Sequence, residues 1–242
     1  MFDNIKAIYF DLDDTLINIG GTSAQAWEVT CQQLLIAFPE LDLPKAVILD
    51  EVIHEHAAYL NNPARIADFT GSVYELRRQI LFAALKNLEF EKKEAVLEFM
   101  LTQFPINRNE MISLYPYVHK TLGALKQRGY KLALITNGGG EVQMEKIQHF
   151  NLDPYFDVLW ISGDRGYFKP DRRVFETVSD ELGVTLKEAC MVGDNYSWEV
   201  KAPICYGMKA IYFDGHQKGL PREVQIKPHC IISSMSELLE LF

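Results

Sequence analysis

Apolar positions along this chain fall into two regimes, and the switch between them divides it. At the start, Ala7-Ile8-Tyr9-Phe10 is apolar at every position, as in a central parallel strand buried on both faces. A polar hinge follows over 17–21, with Gly20-Gly21 as the natural bend. From Thr22 the pattern is helical for about ninety residues. Trp27, Leu34, Leu35, Ile36 and Phe38 mark a first helix ahead of Pro39, and Pro44 opens a second that should end before Asn61-Asn62-Pro63. Ser72-x-x-Glu75 reads as a capping box before Ile80, Leu81, Leu85 and Leu88. A fourth helix, over about 91–104, is expected to stop at Pro105.

After Leu114-Tyr115-Pro116 the period changes to alternating strands and helices. The pattern predicts helices over 118–128, 141–150 and 172–182, and strands over 132–135, 158–161, 189–192 and 209–213. A short helix from Tyr196, distorted at Pro203, precedes the last of these strands, and an edge strand at Cys230-Ile231-Ile232 with a closing helix completes the tail. Such alternation predicts an α/β fold, a doubly wound parallel sheet covered on both faces. The early helical block interrupts it directly after the first strand and reads as an insertion. The expected division is a core of 1–16 and 113–242 and an α-helical unit of 17–112.

The composition is globular, with 48% hydrophobic and 24% charged residues. A net charge of -9 and the lack of any basic run argue against a nucleic-acid polymer as partner. An anionic substrate must therefore be held by a few local donors, helped by a divalent cation. No stretch has the length of a membrane-spanning helix, and the start, Met1-Phe2-Asp3-Asn4, carries neither a basic leader nor an apolar one, so the expectation is a cytoplasmic protein. Cys31, Cys190, Cys205 and Cys230 have no metal-ligand spacing and are expected to be buried free thiols.

The chemistry collects at strand ends. Asp11-Leu12-Asp13-Asp14-Thr15 follows the first strand, and alternate residues of an extended segment share a face, so Asp11 and Asp13 could address one reacting centre. Leu132 to Asn137, Lys169-Pro170 and Met191-Val192-Gly193-Asp194-Asn195 follow in that order. Thr136 and Asn137 could hold phosphoryl oxygens through a hydroxyl and backbone N–H groups, and Gly138-Gly139-Gly140 permits close backbone approach. The ammonium of Lys169 would balance the aspartates. Three carboxylates facing an anionic substrate call for a hard cation such as Mg²⁺.

Taken together the four stations resemble the haloacid dehalogenase superfamily of hydrolases. The resemblance covers the first strand with its aspartates and most of 115–213, while the inserted helices match that family's cap in position and helicity. It implies a Rossmann-like core and Asp11 as nucleophile forming an aspartyl-phosphate. Asp13 becomes general acid and then base, and Asp11, Asp13 (through its carbonyl) and Asp194 become metal ligands. Glu199 stands where the family usually has Asp, and its longer side chain could support a metal-bound water. The activity implied is a Mg²⁺-dependent phosphatase acting on a small phosphorylated metabolite, of the nucleoside 5′-monophosphate or sugar-phosphate class.

The rivals are a dehalogenase, a phosphomutase and a noncatalytic module binding a phosphorylated ligand or a protein. Halide leaves without a proton, so Asp13 counts against the first. His54 and His56 lie two apart on a helix and share no face, and His119, His149, His216 and His229 show no partner spacing. Arg65 and Arg108 are weaker candidates for gripping an anionic substrate.

Overall fold

The structure, a computed structural model, describes residues 2–60, 73–88 and 93–242. Its strands are Ala7–Phe10 (β1), Ile17–Asn18 (β2), Ser113–Leu114 (β3), Lys131–Thr136 (β4), Val158–Ile161 (β5), Ala189–Gly193 (β6), Lys209–Phe213 (β7) and Cys230–Ile232 (β8). Six of them form one parallel sheet in the order β5-β4-β1-β6-β7-β8. The four residues of β1 are all buried, because β4 and β6 flank the strand and helices cover both faces of the sheet. Ala7 and Tyr9 point to the face on which helix Arg172–Leu182 lays Val174, Phe175, Val178 and Leu182. These fall at i, i+1, i+4 and i+8, one stripe of a helix. Asp171 caps that helix by accepting from the Arg173 N–H at 2.9 Å, and Gly183 ends it in the left-handed conformation at φ 64°.

The chain divides into two compact units, Met1–Asn18 with Ser113–Phe242, and Ile19–Ile112. The expected hinge over 17–21 begins two residues early: Ile17–Asn18 is a strand paired antiparallel with Ser113–Leu114 and belongs to the sheet-bearing unit.

The second unit has its own core. Helices Thr22–Ala37, Lys45–Leu60, Val73–Asn87 and Lys93–Met111 bury, among others, Trp27, Leu34, Ile48, Val52, Leu81, Leu85, Leu97 and Met100 against one another. The fourth of these helices does not stop at Pro105 but carries it inside. An interior proline costs a helix about 3 kcal/mol, and tertiary contacts on both sides of it offset that. Phe104 stacks on Trp27 with ring centroids 3.7 Å apart, and buried Asn107 donates to Thr30 and Gln33 at 2.9 and 2.8 Å. Asn61-Asn62-Pro63, Arg65 and Ser72 lie outside the described residues.

All four cysteines are free, but only Cys31 and Cys190 are buried. Exposed Cys205 ends a short helix, and half-buried Cys230 sits on β8, which is at the edge of the sheet among the described residues. No helix among the described residues is long and apolar enough to cross a membrane.

Candidate active site at the carboxyl edge of the sheet

From β1 the chain reaches β4 and β5 on one side, then crosses back to β6, β7 and β8 on the other. The carboxyl ends of β1 and β6 therefore flank a topological switch point, where open α/β sheets place their ligands. Phe10 pairs with Val192, and the Asp11 N–H extends the ladder to the Val192 carbonyl at 3.0 Å. That register sets Asp11 at the end of β1 beside Gly193 and Asp194 at the end of β6.

Asp11 is buried, and its Oδ1 accepts from Nζ of Lys169 at 2.6 Å. The same ammonium donates to Oε1 of Glu199 at 2.7 Å, and Oε2 of Glu199 accepts from the Asn195 N–H at 2.6 Å. Glu199, read from the sequence as support for a metal-bound water, is a buried residue holding Lys169 and the loop after β6. A Cβ at Gly193 would overlap its carboxylate, so that position takes glycine for close approach. Lys169 is 2% exposed and precedes a cis peptide bond to Pro170. Its backbone is gripped by Asn137, whose Nδ2 donates to the Lys169 carbonyl at 2.8 Å and whose Oδ1 accepts from the Lys169 N–H at 2.7 Å. Ser162 Oγ donates to the same Oδ1 at 3.1 Å. The Asn137 carboxamide is thus a brace for Lys169.

Asp13 projects to a different set of partners. Nζ of Lys146 lies 2.5 Å from its Oδ1, and Nε2 of Gln143 donates to its Oδ2 at 2.9 Å and to Thr136 Oγ1 at 2.5 Å. Thr136 is buried at the end of β4, and its hydroxyl keeps its own proton to donate. Sequence reading missed Gln143 and Lys146. The signal was there: on helix Gly140–His149 they share a face with Ile147, so two polar residues occupy the stripe that should be apolar, and all three are buried. The close approach expected of Gly138-Gly139-Gly140 is seen at Gly138, where a Cβ would run into the Gln143 side chain. Thr15 was missed as well. It is buried, and its Oγ1 accepts from the Asp194 N–H at 3.1 Å and reaches Asp194 Oδ1 at 3.4 Å.

His216 has partners that sequence spacing could not show, since β7 carries it to this edge from far along the chain. Its Nε2 lies 3.1 Å from the Tyr115 hydroxyl and 3.3 Å from Asp14 Oδ1, and Asp14 itself adopts φ 57°.

Oxygen atoms of Asp11, Asp194 and Glu199 all lie within 4.8 Å of one another. Burial and the charge of Asp11 raise the Glu199 carboxyl above the ordinary range; burial, then Asp11 and Asp14, push Asp194 up to about 7. Burial also raises Asp11 despite Lys169. For Lys169 burial opposes the charge, but Asp11 and Glu199 outweigh it and hold the ammonium above its usual value. One ammonium does not neutralise three carboxylates. An all-oxygen donor set short of positive charge fits a hard divalent cation.

The model of the haloacid dehalogenase-like hydrolases matches residues 5–207. A glyceraldehyde 3-phosphate phosphatase of Pyrococcus furiosus is 30% identical over 242 residues, covering 98% of this chain and 92% of that protein. An N-acylneuraminate-9-phosphatase of Rattus norvegicus is 27% identical, covering 97% of this chain and 92% of its own length. Among solved structures, a 2-haloacid dehalogenase from Pseudomonas syringae pv. tomato DC3000 superimposes with a TM-score of 0.71 at 25% identity, over 98% of this chain and 97% of that one.

Proposed function

This chain belongs to the haloacid dehalogenase-like hydrolases, and from that premise we propose that it is a Mg²⁺-dependent phosphatase of small phosphomonoesters, of the sugar-phosphate rather than the nucleotide class. The observation that carries the reading is Asp13, a second carboxylate two residues after the nucleophile candidate, held by Lys146 and Gln143. An alkoxide leaving group needs a proton and a halide does not, so a dehalogenase has no use for that residue. The named activities of the relatives from Pyrococcus furiosus and Rattus norvegicus support the sugar-phosphate class.

In this mechanism Asp11, with Oδ1 held by Lys169, presents its other oxygen to phosphorus in line with the leaving oxygen. The ester bond breaks as the Asp11–phosphorus bond forms, and Asp13 gives its proton to the departing alkoxide. Asp13 then takes a proton from the water that cleaves the aspartyl-phosphate, which returns Asp11 and releases inorganic phosphate. Thr136 and the backbone of Asn137 donate to the phosphoryl oxygens, and Lys169 places positive charge beside them. Asp11, Asp194 and the backbone carbonyl of Asp13 would hold Mg²⁺, which when bound offsets the carboxylates and the anionic ester. Glu199 orients Lys169.

A phosphate-release screen over sugar phosphates and nucleoside monophosphates, with and without Mg²⁺, tests the proposal, with 2-haloacids assayed for halide in parallel. Mg²⁺-dependent release from at least one sugar phosphate is expected. Halide release that persists in chelator, with no phosphoester turned over, would establish the dehalogenase instead.

A further inference from the structure

The helical unit contains a cavity of about 190 Å³ to which all four of its helices among the described residues contribute. Buried Trp27, Ile80 and Phe104 supply apolar surface, half-buried Arg77 and Arg108 supply charge, and exposed Ser23 and His56 supply further polar groups. Binding sites for small molecules have this make-up, an apolar lining with a few convergent polar groups. The volume is below the roughly 300 Å³ at which pockets for drug-sized ligands begin, so what fits it is a small molecule.

The charged groups are set in place beforehand. The guanidinium carbon of Arg77 sits 5.0 Å from the centre of the Phe104 ring, which is itself stacked on Trp27. A stacked guanidinium keeps its donors in a fixed fork, so little rotamer freedom is lost when an anion docks. Arg108 follows Phe104 by one helical turn, and its Nη2 donates to Asn109 Oδ1 at 3.2 Å. A guanidinium has five N–H donors, so each arginine can serve partners within the protein and still address a ligand.

We propose that this cavity is a binding site for a small organic anion, a carboxylate or a phosphate carried on an apolar body. The site lies wholly within the helical unit, so the proposal holds whether or not the core cleaves phosphoesters. Carboxylate and phosphate offer the same bidentate acceptor geometry to arginine, and probes of each kind separate them.

The test follows the indole N–H signals of the full chain by NMR while benzoate, phenylphosphonate or uncharged benzamide is added. Trp27 reports on the cavity, and Trp160 and Trp198, outside the helical unit, serve as controls. Benzoate, phenylphosphonate or both should shift Trp27 saturably, and benzamide should need at least about tenfold more ligand. Arg77→Met and Arg108→Met should each weaken binding about tenfold, the order expected for losing a charge-assisted hydrogen bond. If a methionine variant does not fold, the lysine variant, which keeps the charge and loses the fork, should bind severalfold more weakly. No saturable Trp27 shift with either anion, equal binding of benzamide, or unchanged binding in folded arginine variants overturns the proposal.

Discussion

Replacing Glu199 by alanine probes whether the brace on Lys169 holds the site together. The side chain is 2% exposed and accepts two hydrogen bonds, from the Lys169 ammonium at 2.7 Å and the Asn195 N–H at 2.6 Å. Truncation removes a charge-assisted bond of roughly 1.5–3 kcal/mol and leaves the N–H of half-buried Asn195 without its acceptor, at up to a further ~1–3 kcal/mol. It also removes a carboxyl whose charge is disfavoured by burial, by Asp11 and by Asp194, so the net loss falls at about 2–4 kcal/mol. For a chain of this size each kcal/mol lowers the melting temperature by roughly 2–4 °C. The expected drop is therefore on the order of 4–16 °C for Glu199→Ala, read by calorimetry in chelator. Glu199→Gln keeps the shape but turns an NH₂ toward one of two donors, and should fall about halfway between. Turnover should fall most in Glu199→Ala, where an ammonium held by Asp11 alone sits closer to the nucleophile and farther from the phosphoryl oxygens, and less in Glu199→Gln. Both variants melting within about a degree of the parent would refute the bracing argument.

Asp11→Asn should fold as the parent does and lose nearly all phosphate release in a steady-state assay; a folded variant with parental turnover would remove Asp11 from the chemistry. Asp13→Asn should slow release of a sugar alkoxide by about a hundred- to ten-thousand-fold, yet give a burst of nitrophenolate from p-nitrophenyl phosphate followed by slow turnover in stopped flow. Equal loss of the burst for both esters would mean that Asp13 donates no proton. Asp194 is raised from 3.8 to about 7 in the folded metal-free protein, so between those values the folded state keeps a proton that the unfolded state has lost. Stability in chelator should thus fall as pH rises from about 4 through 7. Mg²⁺ should raise the melting temperature more at pH 8 than at pH 5, and a metal effect independent of pH would count against Asp194 as a ligand.

The sheet was legible because each strand announces itself locally. Ala7–Phe10, Val158–Ile161 and Lys209–Phe213 are short apolar runs bounded by polar or turn residues, and helix Arg172–Leu182 has a clean apolar stripe between a capping Asp171 and Gly183. The four stations were legible for the same reason, since each is the end of such a strand or the loop beyond it. What escaped depends on distance along the chain. Whether Pro105 ends its helix is decided by Trp27 and Thr30, which nothing near Pro105 encodes. The partners of Asp13, Gln143 and Lys146, sit on a helix more than a hundred residues away, and only fold topology brings them to it. The burial of Glu199 could not be read from its own helix, where Ser197 and Trp198 are exposed; it depends on Gly193, which leaves the space its carboxylate fills.

The central place of β1 has a consequence for biosynthesis. The strand is made before the other strands of its sheet, but it is completed on both sides only by β4 and β6, which pair with it from Lys131 and Ala189 onward. At ~5–20 residues per second, Lys131 is synthesised on the order of ten seconds after Ala7, and Ala189 later still. Throughout that interval Ala-Ile-Tyr-Phe lacks both the strands that will enclose it. A nascent chain carrying an unpaired apolar strand is a natural client for a ribosome-associated chaperone. Meanwhile the helical unit, whose core is drawn from the contiguous stretch Ile19–Ile112, has all of its own packing partners before β4 is made.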